Sequence, residues 1–173
     1  MIKAKELQTH EYHNFYSTYI SKVPDNLDLI DGYKTGGHAI VQFFKAIPED
    51  KLEYSYAKGK WSVKDVFQHI IDNERVFTYR FFRIARQDKT PLAGYEQNNF
   101  AASVNTKRKS INDLIEEYQA VRQYSLVLLK SLTINSLNFL GTVSGGPMSA
   151  RAAAFVTLGH EIHHVNVLKE RYL

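Results

Sequence analysis

The chain ends in Gly159-His-Glu-Ile-His-His164-Val-Asn-Val-Leu-Lys-Glu-Arg-Tyr-Leu173, which holds three of its seven histidines. Read as an α-helix, this stretch sets His160 and His164 one turn apart on the face that also carries Ala153, Val156 and Val167. Two imidazoles at that spacing can grip one metal ion. His163 lies about 60° further round the helix, where it serves as a donor behind the ligands, a substrate contact or a surface residue. A helix with imidazoles on its buried face requires other helices to cover it and to bring a third ligand.

Those helices are found by moving outward from the C-terminus. Ser149 stands at the N-cap of the last helix, preceded by an irregular loop, Gly141-Thr-Val-Ser-Gly-Gly-Pro147. Ser110 caps another helix, in which Ile111, Leu114, Tyr118, Val121, Ser125, Leu128 and Leu132 face inward. Between about Gln87 and Lys109 lies the longest break, with Pro91, Gly94 and several Asn. It is too long for a tight turn and long enough to run the length of a bundle, so the helices on either side can be parallel.

Upstream of the break, Ser62 and Asp65 form a box-like cap. From there Val66, Ile70, Phe77, Phe81 and Ile84 recur at helical spacing to about Arg86. Steps of about 100° place His69, Asn73 and Arg80 on a stripe along the edge of that apolar face, toward the interior or a cleft. Residues 49–60 read as a polar loop. A further helix runs from near Asp25, a capping carboxylate, to Pro48, with Leu27, Ile30, Val41 and Phe44 on one face. Gly36-Gly37 in its middle either weakens the helix or marks a close approach by a neighbouring helix. Residues 1–24, with Tyr12, Phe15, Tyr16 and Tyr19 near helical spacing, predict a short N-terminal helix packed on the body. The expected architecture is all-α: four long amphipathic helices and a short one, in a single domain over 1–173. No internal repeat and no strand-like alternation interrupts it.

Composition narrows the chemistry. The sequence has no cysteine, which excludes a disulfide framework, a thiolate metal site and a cysteine nucleophile. Any metal is therefore held by nitrogen and oxygen. The 22 basic and 18 acidic residues are interspersed, without the dense Lys/Arg run of a nucleic-acid binder. No apolar run has signal-peptide or membrane-spanning length, so the expectation is a cytoplasmic protein acting on a small molecule, with no membrane or nucleic-acid partner.

For a third ligand, His10 and His13 lie in the N-terminal segment and His38 sits among glycines. His69 is the best placed. It lies about two turns into its helix and His160 about three turns into the last, so a parallel pairing would bring them to similar heights. Three protein ligands with a position left open mark a reactive metal site. The bland alternative for each residue is a hydrogen-bonded core histidine. His160-Glu161-Ile-His-His164 also spells the H-E-x-x-H of zinc proteases, in which the Glu activates water. That reading is set aside on three grounds. The chain stops at Leu173, Val167 and Glu170 stand where one protease class needs Gly and His, and no strand is present to hold a peptide.

Trp61-Ser-Val-Lys-Asp-Val-Phe-Gln-His69-Ile-Ile-Asp-Asn-Glu-Arg75 on one helix and Gly159-His-Glu-Ile-His-His164 on the last make the chain resemble the DinB superfamily. The resemblance runs from about Asp25 to Leu173 and includes the Thr90-Pro-Leu loop and the Ser131-Leu-Thr joint. It implies a four-helix bundle of up-down-down-up order. It also implies a divalent metal held by His69, His160 and His164: zinc or nickel, with iron or manganese as further candidates. Homodimers are common in the family. Its characterised members include S-transferases using bacillithiol, mycothiol or glutathione, and a mycothiol-dependent isomerase. Similar sequences often carry acidic residues after the Pro-Leu loop, where this chain reads Tyr95-Glu-Gln-Asn-Asn-Phe100.

Three functions follow as expectations. The first is a transferase joining a low-molecular-weight thiol to an electrophilic small molecule, with Arg80 and Asn73 as substrate-binding residues. The second is a metal-dependent hydrolase in which Glu161 or His163 moves protons. The third is a non-catalytic, stress-related metal-binding protein.

Overall fold

Residues 2–173 are described by a computed structural model. The expected N-terminal helix is instead three 3₁₀ turns (Ala4–Glu6, Thr9–Glu11, Asn14–Tyr16) followed by a single α turn, α1 (Ser17–Ile20). The aromatic spacing still does its work, because Tyr16 is buried with Ile20 and Val23 in the same cluster as the last helix. α2 (Leu29–Lys45) starts later than expected. Its cap is Asp28 and not Asp25: the Asp28 carboxylate accepts from the Ile30 and Asp31 amides, and also from Ile2. One side chain thus closes a helix end and pins the N-terminal segment.

α3 (Val63–Ala85) begins at the predicted capping box, with Ser62 and Asp65 exchanging side-chain-to-backbone bonds. The crossover that follows has structure of its own, α4 (Gln97–Ser103) and a 3₁₀ turn at Thr106–Arg108. α5 (Ile111–Ser131) opens on a second capping box, Ser110 with Asp113. After the short α6 (Ile134–Leu137), the expected irregular loop is a β-hairpin: β1 (Leu140–Val143) pairs antiparallel with β2 (Gly146–Ser149). Its two-residue turn, Ser144-Gly145, has both φ angles positive, 51° and 82°. That is the turn whose twist matches paired strands. α7 (Ala150–Arg171) follows directly, capped by Ser149.

The four long helices form an up-down-down-up bundle. α3 and α5 run parallel, joined at matching heights by Arg122 to Glu74 and by Thr78 to Ser125. α3 and α7 are antiparallel, for the Tyr172 hydroxyl at the end of α7 donates to the Trp61 carbonyl just before α3 at 3.0 Å. The early turns of α2 and α7 lie together, with the Tyr33 hydroxyl donating to the Ala154 carbonyl at 3.1 Å. The first half of α7 is buried on every side, not on one face, since Ala152, Ala153 and Ala154 let its neighbours close around it. Among the described residues no helix is long and apolar enough to cross a membrane.

Two apolar clusters fill the bundle, one around Phe77, Phe81, Met148 and Phe155, the other around Phe44, Phe67, Leu114 and Leu168. Between them the helices contribute a buried polar layer of His69, Asn73, Glu74, Arg122, His160 and Glu161. The candidate site lies in that layer.

Candidate metal centre

α3 contributes His69 and α7 contributes His160 and His164, and the three rings meet in the bundle interior. Nε2 of His160 lies 2.9 Å from Nε2 of His69 and 3.1 Å from Nε2 of His164. The helices reach the same level because they are antiparallel, which corrects the parallel pairing expected above. His69 lies near the start of α3 and His164 near the end of α7, so opposite directions bring them together. The Trp61 ring covers His69 at 4.7 Å between centroids, and the Tyr19 ring covers His160 at 5.3 Å.

Burial lowers His69 to about 4, and burial with the neighbouring rings lowers His164 to about 3. His160 is pushed well below its ordinary value by burial, then by His164 and His69. At neutral pH all three rings are uncharged, which is the form that binds a metal. The donor geometry fits an ion. Imidazole nitrogens about 2.0–2.1 Å from a tetrahedral zinc stand about 3.3 Å apart; His160 lies 2.9 and 3.1 Å from its two neighbours, and all three ligand atoms lie within 4.8 Å of one another. Each neutral ring has at most one N–H, so three converging nitrogens cannot all satisfy one another by hydrogen bonds. His69, His160 and His164 could hold a divalent metal ion.

Of the other predicted residues, Asn73 and Arg80 reach the same site. Both are buried and line a cleft of about 500 Å³ that runs to His160, walled by Tyr16, Tyr19, Phe77 and Tyr95. Glu161 does not reach it. Its carboxylate accepts instead from the Tyr118 hydroxyl and from Arg122, each at 2.6 Å. Burial raises its pKa, against the lowering effect of Arg122. His163 is half-buried beside His164 and faces Tyr19 edge-on. With Trp61 and Lys60 it lines a second groove of about 270 Å³ on the His164 side. His10, His13 and His38 are exposed and stand outside the cluster.

Three site residues lay beyond the sequence reading. Tyr19 and Trp61 cover the rings, and Tyr95 accepts from the Asn73 amide at 3.1 Å. The available signal was an aromatic residue beside each expected ligand element: Trp61 before the capping box, Tyr95 in the crossover.

Fold and site together define a class: a helical bundle of up-down-down-up order with a buried three-imidazole cluster opening on a cleft. The family model described as the DinB superfamily matches residues 33–168, and the chain belongs to that family. A comparison with curated proteins finds no match by sequence. Among solved structures the chain is similar to YfiT from Bacillus subtilis, described as a probable metal-dependent hydrolase with an unusual four-helix bundle topology. The identity is 15% and the TM-score 0.74, over 92% of this chain and 91% of that one. It is also similar to a mycothiol-dependent maleylpyruvate isomerase, at 13% identity and a TM-score of 0.63, over 84% of this chain and 61% of the other. A DinB-like protein from Bacillus subtilis matches at 18% identity and a TM-score of 0.58, over 82% and 87%.

Proposed function

We propose that this protein is a divalent-metal-dependent enzyme that joins a low-molecular-weight thiol to an electrophilic small molecule, with His69, His160 and His164 as metal ligands. The observation that carries this reading is access from two sides. His160 lines the larger cleft and His164 lines the separate, smaller groove, an arrangement suited to two substrates meeting at one centre. Because the chain has no cysteine, the sulfur nucleophile arrives with a substrate. A bound zinc or nickel ion supplies one thing there, the acidification of a thiol or water that reaches it. The chain's own residues do the rest. Burial keeps the three imidazoles neutral, and Trp61 and Tyr19 shield them from water.

The second reading is a hydrolase, the description given to YfiT. Of its two proton carriers, Glu161 is committed to Arg122 and Tyr118, which leaves the task to His163. Metal analysis of protein prepared without a histidine tag, followed by a screen of thiols against electrophiles, separates the readings. The transferase predicts stoichiometric metal and product only when thiol and metal are both present. Product without thiol overturns it in favour of hydrolysis. Metal without any turnover overturns both and leaves the binding protein.

A further inference from the structure

Among the described residues two arginines are buried, and they are provided for differently. Arg122 is held between Glu74 and Glu161. Arg80, only 3% exposed, pairs with no carboxylate among the described residues. Its Nη2 donates to the Ala93 carbonyl at 3.1 Å and, at 3.4 Å, to the Ser144 hydroxyl on the hairpin turn. The guanidinium lies over the Phe77 ring, with Tyr95 beyond it. The Tyr16 phenol is a further side-chain partner, but all of these partners are neutral, and an arginine offers five N–H donors. A charge taken out of water without a counter-ion is costly to keep. The same cleft holds the one buried side-chain polar atom without a partner among the described residues, Oδ1 of Asn73. Glu96 also lines the cleft, but its carboxylate caps α4 by accepting from the Asn98 backbone and side chain.

We infer that the cleft is built for an extended small-molecule carboxylate: its acid group meets Arg80, a donor along its length meets Asn73 Oδ1, and its far end reaches the imidazole cluster at His160. Asn73 and Arg80 lie on one helix, about 10 Å apart at ~1.5 Å per residue. Asn73 lies one turn beyond His69, whose ring meets His160, so the acid and the reacting atom are separated by that length or somewhat more. The aromatic walls suit an apolar or amide-linked spacer between them. The inference rests on the reading of the imidazole cluster as the reacting centre. The acid group belongs either to the thiol or to the electrophile, and the chemistry at Arg80 is the same for both.

Calorimetry tests the acid site without any reaction. Straight-chain alkanoates of graded length and their primary amides are titrated into the metal-loaded protein. The acids are expected to bind about tenfold more tightly than the amides, the range of a hydrogen bond to a charged group, with the preference greatest near the length given above. R80M should erase the preference, and R80K, a point charge in place of a fork, should keep part of it. R83M, on a residue paired with Asp88 outside the cleft, should leave it unchanged. Equal binding of acid and amide to the wild type, or a full preference in folded R80M, overturns the inference; should R80M not fold, a full preference in R80K does so. Turnover then identifies the carrier. R80M raises KM for mercaptoalkanoates with a neutral electrophile if the thiol bears the acid, and for a carboxylated electrophile with a neutral thiol if the electrophile does. An acid preference without thiol-dependent turnover would retain this site and discard the proposed reaction. Turnover without an acid preference would do the reverse.

Discussion

Gly159 of α7 packs against the backbone of Tyr19 so closely that a Cβ at position 159 would overlap the Tyr19 carbonyl. The missing side chain lets the end of the N-terminal segment lie on α7. The Tyr19 ring is thereby brought over His160, with the His163 ring 5.5 Å away. One hydrogen in place of a methyl group thus links the packing of the segment to the cover of the site.

Gly159→Ala sets two effects against each other. Helix propensity alone favours Ala by about 1 kcal/mol, whereas overpacking costs about 1–3 kcal/mol. Here the obstacle is backbone, which cannot rotate aside, so overpacking wins. The variant should melt several degrees lower and lose near-ultraviolet circular dichroism from a released Tyr19. A higher melting temperature would show that the segment moves away without cost.

The histidine cluster sets an acid limit on the metal-free protein. Burial lowers His69 from 6.5 to about 4, and His160 and His164 shift the same way. Between those values the unfolded chain takes up protons that the folded chain refuses. Stability is therefore full above about pH 6.5 and falls as the pH drops toward the folded values. At about 1.4 kcal/mol per pH unit, His69 alone accounts for about 3 kcal/mol. Urea denaturation of the metal-free protein at intervals between about pH 7 and pH 4 measures the slope. Replacing all three histidines by Gln should flatten it, and an equally steep slope in that variant would place its origin elsewhere.

Arg122 is the cation for two buried carboxylates, donating to Glu74 at 2.8–3.0 Å and to Glu161 at 2.6 Å. Arg122→Met strands both and should cost about 3–5 kcal/mol. Arg80→Met strands none and should cost far less, although both arginines are equally hidden from solvent. Denaturant titration of the two variants side by side decides it: equal losses would mean that the carboxylates are not what Arg122 serves.

Local signals in the sequence predicted local structure well. Ser62 with Asp65 starts α3 and Ser110 starts α5 as expected, because a cap needs only residues a few positions apart; Asp113 completes a second box that the structure adds. His69, Asn73 and Arg80 fell on one stripe because helical periodicity fixes relative direction along a single element. What periodicity cannot supply is the direction of one helix against another, which is why His69 and His160 were matched in height through the wrong pairing. The partners of Glu161 were hidden for a related reason. Its neighbours in sequence are imidazoles, but its neighbours in space, Tyr118 and Arg122, come from α5. Gly36-Gly37 did carry a trace of that network, since both pack against the Arg122 side chain or the Glu161 carboxylate. The hairpin was hidden because its strands are four residues each and the two positive φ angles sit on Ser144-Gly145, a pair equally at home in an irregular loop.

Replacing His164 by Ala separates a metal-binding role of its imidazole from a structural role of the side chain itself. The two apolar clusters lie on either side of the polar layer and are each complete without it, so the bundle does not depend on the imidazoles to close. A buried neutral ring that loses its partners contributes little, and its removal also removes one of the groups that refuse protons in acid. The metal-free variant should therefore unfold within about 1 kcal/mol of the metal-free wild type at neutral pH. With one of three ligands gone, metal retained through gel filtration should fall from stoichiometric to a small fraction, and thiol-dependent turnover should fall with it. A melting temperature that collapses in H164A while the metal-free wild type stays folded would refute this account, because only the side chain itself, and not the ion, could then be holding α3 against α7.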